Sequence, residues 1–162
     1  MKSTRKLATL SLSVALAMVL SFVESQIPAF VAIPGVKIGL ANIAVIFALY
    51  KLGWKEAVAV SIVRVFLVSL LFGSFLSLLY SLAGAVLSLS VMLILKGIKV
   101  IGKIGVSVCG GVCHNIGQII MASIVMETNV IVYYLPFLLL SGTVAGIAIG
   151  LASALLVERV KL

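Results

Sequence analysis

Residues 24–42 read ESQIPAFVAIPGVKIGLAN, and the fold depends on whether this stretch crosses a membrane or joins two segments that do. Pro28, Pro34 and Gly35 interrupt any helix through its middle, and Glu24, Lys37 and Asn42 make it too polar for a span. It is a connector. Connections of this length commonly carry function, and the prolines and glycine give this one a defined shape.

On both sides of the connector the chain is apolar almost throughout. A chain of 162 residues that is 64% hydrophobic, with a mean hydropathy of +1.39, cannot cover itself with a polar surface. Its apolar runs suit membrane helices, which need about 20 residues each. Six spans follow: Leu7–Val23, Ile38–Leu52, Ala57–Phe72, Phe75–Leu95, Ile104–Met126 and Val130–Val157. The first could pass for a signal peptide with Ala15-Leu16-Ala17 at its cleavage site. A retained helix is the better reading, because the apolar run continues to Val23 and the charge pattern needs an inside N-terminus. Pro136 either kinks the sixth span or marks where its regular part begins. The expected fold is all-α, a single transmembrane domain of six helices over residues 1–162.

The connectors alternate in charge. Lys2, Arg5, Lys6, Lys51, Lys55, Lys96, Lys99, Lys103, Arg159 and Lys161 fall on one side of the membrane, and Lys37 alone on the other. Excess Lys and Arg mark the cytoplasmic face, so both termini are expected inside and the Glu24–Lys37 connector outside. A net charge of +8 spread in this way fits the anionic cytoplasmic leaflet and gives no nucleic-acid surface.

Polar residues inside the apolar runs are the candidates for function. Arg64 stands in the middle of the third span, where a charge is costly. His114, Asn115 and Gln118 fall along one side of the fifth helix, in GGVCHNIGQ at residues 110–118. Asn42 and Tyr80 lie within about two turns of the outer surface. Together with Glu24 and Lys37 these residues predict a cavity open to the outside, covered by the Glu24–Lys37 connector. The competing reading is that the amides and His114 only tie helices together.

Cys109, Cys113 and His114 do not make a metal or haem site. The spacing is one residue too long for haem attachment, and no second histidine or further cysteine exists to complete a zinc site. Cys109, Cys113 and Gly117 read instead as a packing stripe of small residues. Similar stripes occur at Gly142, Gly146, Gly150 and Ala154, and at Ser77, Ser81 and Ala85. A third, Ser13, Ala17 and Ser21 with Ser11 and Ala15 beside it, could equally serve a second protein. No aspartate is present, so the paired aspartates that hold magnesium in prenyl-diphosphate synthases are missing. Neither a nucleotide-binding glycine loop nor a Ser-His-acid arrangement occurs. The residues give no catalytic set and no cofactor.

The motifs ESQIP, PGVKIGLAN, LLYSLAGAVLS and GGVCHNIGQ, with YYLP at Tyr133–Pro136, resemble the bacterial Gx transporter family, also labelled heptaprenyl diphosphate synthase component I. That family is similar in size and six-helix plan to the substrate-binding S components of energy-coupling-factor vitamin transporters. The resemblance implies a substrate-capture protein of the bacterial cytoplasmic membrane, energised by a separate ATPase pair through a transmembrane coupling subunit. It also implies that the first helix docks on that subunit through small residues, here Ser13, Ala17 and Ser21, or Ser11 and Ala15. The solute would settle among Asn42, Arg64, Tyr80, His114, Asn115 and Gln118. The alternatives are a non-catalytic accessory of isoprenoid or quinone synthesis that binds a prenyl lipid, and a structural subunit of a larger membrane complex.

Overall fold

A computed structural model describes residues 3–26, 39–128 and 130–160. Among these the chain is all-helical: α1 Ser3–Gln26, α2 Asn42–Lys51, α3 Trp54–Phe72, α4 Phe75–Lys96, α5 Lys103–Val125 and α6 Leu135–Arg159, with a 3₁₀ turn over Val130–Tyr134. The expected cap over residues 27–38, Lys37 included, lies outside the described residues. Pro136 stands in the first turn of α6, where its missing N–H costs nothing, so it marks where the regular helix begins and makes no kink.

Four segments are long and apolar enough to cross a membrane: α1, α4, α5 and α6 with its 3₁₀ lead-in. The second expected span is shorter than the sequence suggested. Described α2 has ten residues, about 15 Å at 1.5 Å per residue, against a hydrocarbon layer of about 30 Å. Gly39, at φ +79°, turns the chain in a conformation closed to most side chains and ends the helical run on that side. Helix α3 has 19 residues but carries Lys55, Glu56 and Arg64.

Side-chain links fix which helix ends lie together. Lys6 pairs with Glu56, so α1 and α3 start at the same end; Phe22 meets Phe72 with ring centroids 5.3 Å apart near their other ends. The Lys96 ammonium donates to the Leu49 carbonyl at 2.6 Å and stands 5.3 Å from the Tyr50 ring. It thereby caps the negative end of α2 with a cation. Lys103 pairs with Glu158 at 3.0 Å, joining the start of α5 to the end of α6. One end of the bundle therefore gathers Lys6, Lys51, Lys55, Lys96, Lys103 and Arg159, and the starts of α1 and the finish of α6 share it.

Helices α4, α5 and α6 pack most extensively, α6 continues to α2, α2 to α3, and α3 back to α4; α1 lies against α2 and α3. Glycines set the α5–α6 spacing. A Cβ on Gly146 would lie 2.6 Å from the Val108 Cα, and one on Gly111 would lie 2.8 Å from the Gly142 carbonyl oxygen. These neighbours are backbone and cannot swing aside, which is how small residues bring helices together in lipid. Helix α2 is the buried one, with Ala44 to Leu49 all inside.

Gly146→Ala is expected to lower the stability of the purified protein by about 1–3 kcal/mol, the usual cost of overpacking. Thermal unfolding in detergent measures it, with Gly102→Ala, which meets nothing within 4 Å, as the neutral control.

Candidate functional site

A cavity of about 600 Å³ lies beside the first turn of α2. Gly39, Asn42 and Ile46 line it from α2 and the preceding turn, and Glu24 and Ser25 from the last turn of α1. It lies within the usual 300–1,000 Å³ range of small-molecule sites. Glu24, Gly39 and Gly73 line its end opposite the lysines. Its floor reaches Met92, Ser107 and Ile149. Met92 reaches across to α5 because Gly110 has no side chain: a Cβ there would sit 2.7 Å from the sulfur.

Arg64 enters this cavity from α3, flanked by Val65, Val68 and Phe72 on the same face. Its Nε is buried and has no hydrogen-bond partner among the described residues. Arginine keeps its charge, and its five donors call for acceptors wherever it is buried. Glu24 is close enough for its charge to act on the guanidinium, but the ion pairs among the described residues are both at the basic end. Glu24 is otherwise engaged: its Oε1 accepts the Gly39 N–H at 2.5 Å, placing a carboxylate at the positive end of α2. The N–H groups of Asn42, Ile43 and Ala44 bond to the carbonyls of Gly39, Leu40 and Ala41 at 2.8, 3.1 and 3.2 Å. The start of α2 is thus satisfied within the protein.

On α5 the cavity is lined by Ser107, Gly110, Gly111, His114 and Asn115, one helical face. Asn115 is buried and donates from Nδ2 to the Leu138 carbonyl at 2.7 Å. It fits because Gly142 opposite lacks a Cβ, which would come within 2.8 Å of that nitrogen. Asn115 therefore serves as interhelical glue as well as lining. The His114 ring rests on α4 at Gly84, where a Cβ would lie 2.9 Å from Cε1 and 3.0 Å from Nδ1.

Of the residues expected to form the site, Glu24, Asn42, Arg64, His114 and Asn115 share the cavity; Tyr80 and Gln118 do not line it. Gln118 follows on the same face of α5, but one turn farther from the lysines than the lining, where Gly117 has closed onto α4 with its Cβ position 2.7 Å from the Ala83 carbonyl oxygen. Among the described residues Phe72 lines the wall and Tyr80 does not. Sequence reasoning missed the serines. Ser69, Ser77, Ser81, Ser88 and Ser107 line the cavity, which reaches towards the lysine-rich end at Met92 and Ser107. Ser77 and Ser81 were readable only as small packing residues. Spacings of four from Ser77 to Ser81 and seven from Ser81 to Ser88 are the signal that the three share a face.

The first-helix stripe also needs correction. Ser13, Ala17 and Ser21 are 4%, 0% and 8% exposed, turned inward against α2 and α3, with Ser21 lining the cavity. They let α1 approach its own bundle and so are not open to another protein. The outward face of α1 carries Ser11, Leu12, Ala15, Leu16 and Val19.

No curated protein and no solved structure matches the chain significantly. A family model, that of heptaprenyl diphosphate synthase component I, matches residues 13–156. The match runs from α1 to the last turns of α6 and takes in every described residue that lines the cavity. The chain belongs to the heptaprenyl diphosphate synthase component I family, the family also known as Gx transporters.

Proposed function

We propose that this multi-pass membrane protein captures a small water-soluble solute, in the manner of an S component, and does not itself catalyse prenyl transfer. One observation carries the reading: a membrane-buried cavity holds an arginine whose Nε lacks a partner among the described residues. A charge left in this way inside a membrane protein marks a ligand or ion path more readily than a structural tie. The serine lining supports a polar occupant over a prenyl chain, which would leave those hydroxyls without partners. The chain has no aspartate, so a synthase role would need its metal-binding carboxylates from another subunit.

On this reading the lysine-rich end faces the cytoplasm of a bacterial cell and the cavity opens outward. The solute binds among Arg64, Asn42, His114 and the serines, with Lys37 and the residue 27–38 connector as its proposed cover. Uptake is driven by an ATPase pair through a coupling subunit. Since Ser13, Ala17 and Ser21 are buried, the docking face shifts to Ser11 and Ala15.

Equilibrium dialysis of the purified protein against a protein-free metabolite extract tests capture. The wild type is expected to concentrate one small molecule, detected by mass spectrometry. Arg64→Ala should weaken its retention by roughly ten- to a hundredfold, the loss of a charge-assisted hydrogen bond, while Gln118→Ala should retain it. Equal retention by Arg64→Ala would contradict the assignment, and an organic-phase prenyl lipid in place of the solute would favour the accessory role. Ala15→Trp is expected to leave retention intact and abolish ATP-dependent uptake, by holding the coupling helices apart. Uptake that survives Ala15→Trp would remove the docking assignment.

A further inference from the structure

The lining restricts the chemistry of the occupant, on the solute-capture reading above. We infer that the cavity takes a solute with one carboxylate and a neutral polar far end, seated between Arg64 and Ser107.

The charge balance supports the first half. Among the described residues the formal charges lining the cavity are Arg64 and Glu24, one of each sign. The lysines Lys51, Lys55, Lys96 and Lys103 are at the far end of the bundle, two of them bound to Leu49 and Glu158. A single guanidinium matches one carboxylate in a two-point fork. A phosphate ester brings close to two negative charges and a diphosphate more. Such groups are ordinarily held by several cations, a metal ion on acidic ligands, or an array of open backbone N–H groups. The first-turn N–H groups of α2 are already bonded, and Glu24 adds a repelling carboxylate beside them.

Ser107 supports the second half. It is 3% exposed, it lines the cavity, and its Oγ has no partner among the described residues. That sets it apart. Ser13, Ser90, Thr143 and Ser153 each return their hydroxyl to the carbonyl four residues back, at 2.7–2.8 Å. A buried hydroxyl that forgoes this bond needs a partner from elsewhere. Ser107 is four residues into α5 and Arg64 ten residues into α3, both counted from the basic end. Ser107 is therefore roughly 9 Å deeper at 1.5 Å per residue. Ser88 lies across from it, and Met92 and Ile149 are the apolar part of the floor. A hydroxyl, carbonyl or ring nitrogen at the far end of the solute meets these requirements. A second charge or a plain hydrocarbon tail does not.

Three portions of one metabolite extract test this: untreated, digested with alkaline phosphatase, and methyl-esterified. Retention by the wild-type protein is expected to survive phosphatase and to be lost on esterification. Ser107→Ala should weaken retention of the same mass by about two- to tenfold, one neutral hydrogen bond. It should not lower the unfolding temperature, since it removes a hydroxyl with no bond to lose; a structural role for Ser107 would show the opposite. Retention abolished by phosphatase, or untouched by esterification, would overturn the inference and leave solute capture standing. If Ser107→Ala retains the solute as well as the wild type, the far-end assignment falls. No retention from the untreated extract would remove the capture reading itself, and this inference with it.

Discussion

The short second helix is the constraint on which the rest depends. In a bilayer every backbone N–H and C=O needs a partner within the protein, so a helix that stops partway is tolerated only if its ends are satisfied. Here the two ends are met differently. At the basic end the Lys96 ammonium takes the Leu49 carbonyl. At the other, carbonyls of residues 39–41 accept the first-turn N–H groups, and Glu24 reaches over from α1 to accept that of Gly39. With both ends closed, α2 can be short, and it lines a cavity that its neighbouring helices enclose.

Close packing elsewhere keeps that space from collapsing. Helices α4, α5 and α6 meet through glycines at backbone distance, and Asn115 ties α5 to α6 from inside the cavity wall. The same face of α5 therefore serves two ends: its glycines bind neighbours, and Ser107 and His114 are presented to the cavity. Glue and cavity lining are not alternatives for this protein. Asn115 does both, and Glu24 both closes α2 and sets the sign of the charge opposite Arg64.

Much of this was legible in the sequence, for physical reasons that can be named. Helix existence followed from apolar runs between charged connectors, and the shared position of the chain's ends followed from the alternation of Lys and Arg. Arg64 stood out because a charge in mid-span is costly. What the sequence could not convey was rotation about each helix axis. Uniformly apolar helices have no polar face to orient them, so Ser13, Ala17 and Ser21 read equally well as an inward or an outward stripe. Tyr80 was grouped with the site by depth and Gln118 by its place on one side of the fifth helix, and Ser88 and Ser107 were passed over. The start of α2 was placed four residues early, at Ile38, since IGLAN continues the apolar pattern, whereas Gly39 at positive φ and a turn over residues 40–41 precede the helix.

The central claim is that the cavity is aqueous and opens away from the lysine-rich end. It is tested most directly by thiol accessibility in intact cells, with Cys109 and Cys113 first replaced by alanine. Ser81→Cys, in the cavity wall, is expected to react with a hydrophilic, membrane-impermeant thiol reagent added outside. Val86→Cys, 59% exposed on the outer face of the same helix, is expected to stay unreacted in lipid, and Lys99→Cys to react only after the cells are opened. An unreactive Ser81→Cys beside a reactive Lys99→Cys in intact cells would contradict both the orientation and the outward-facing cavity.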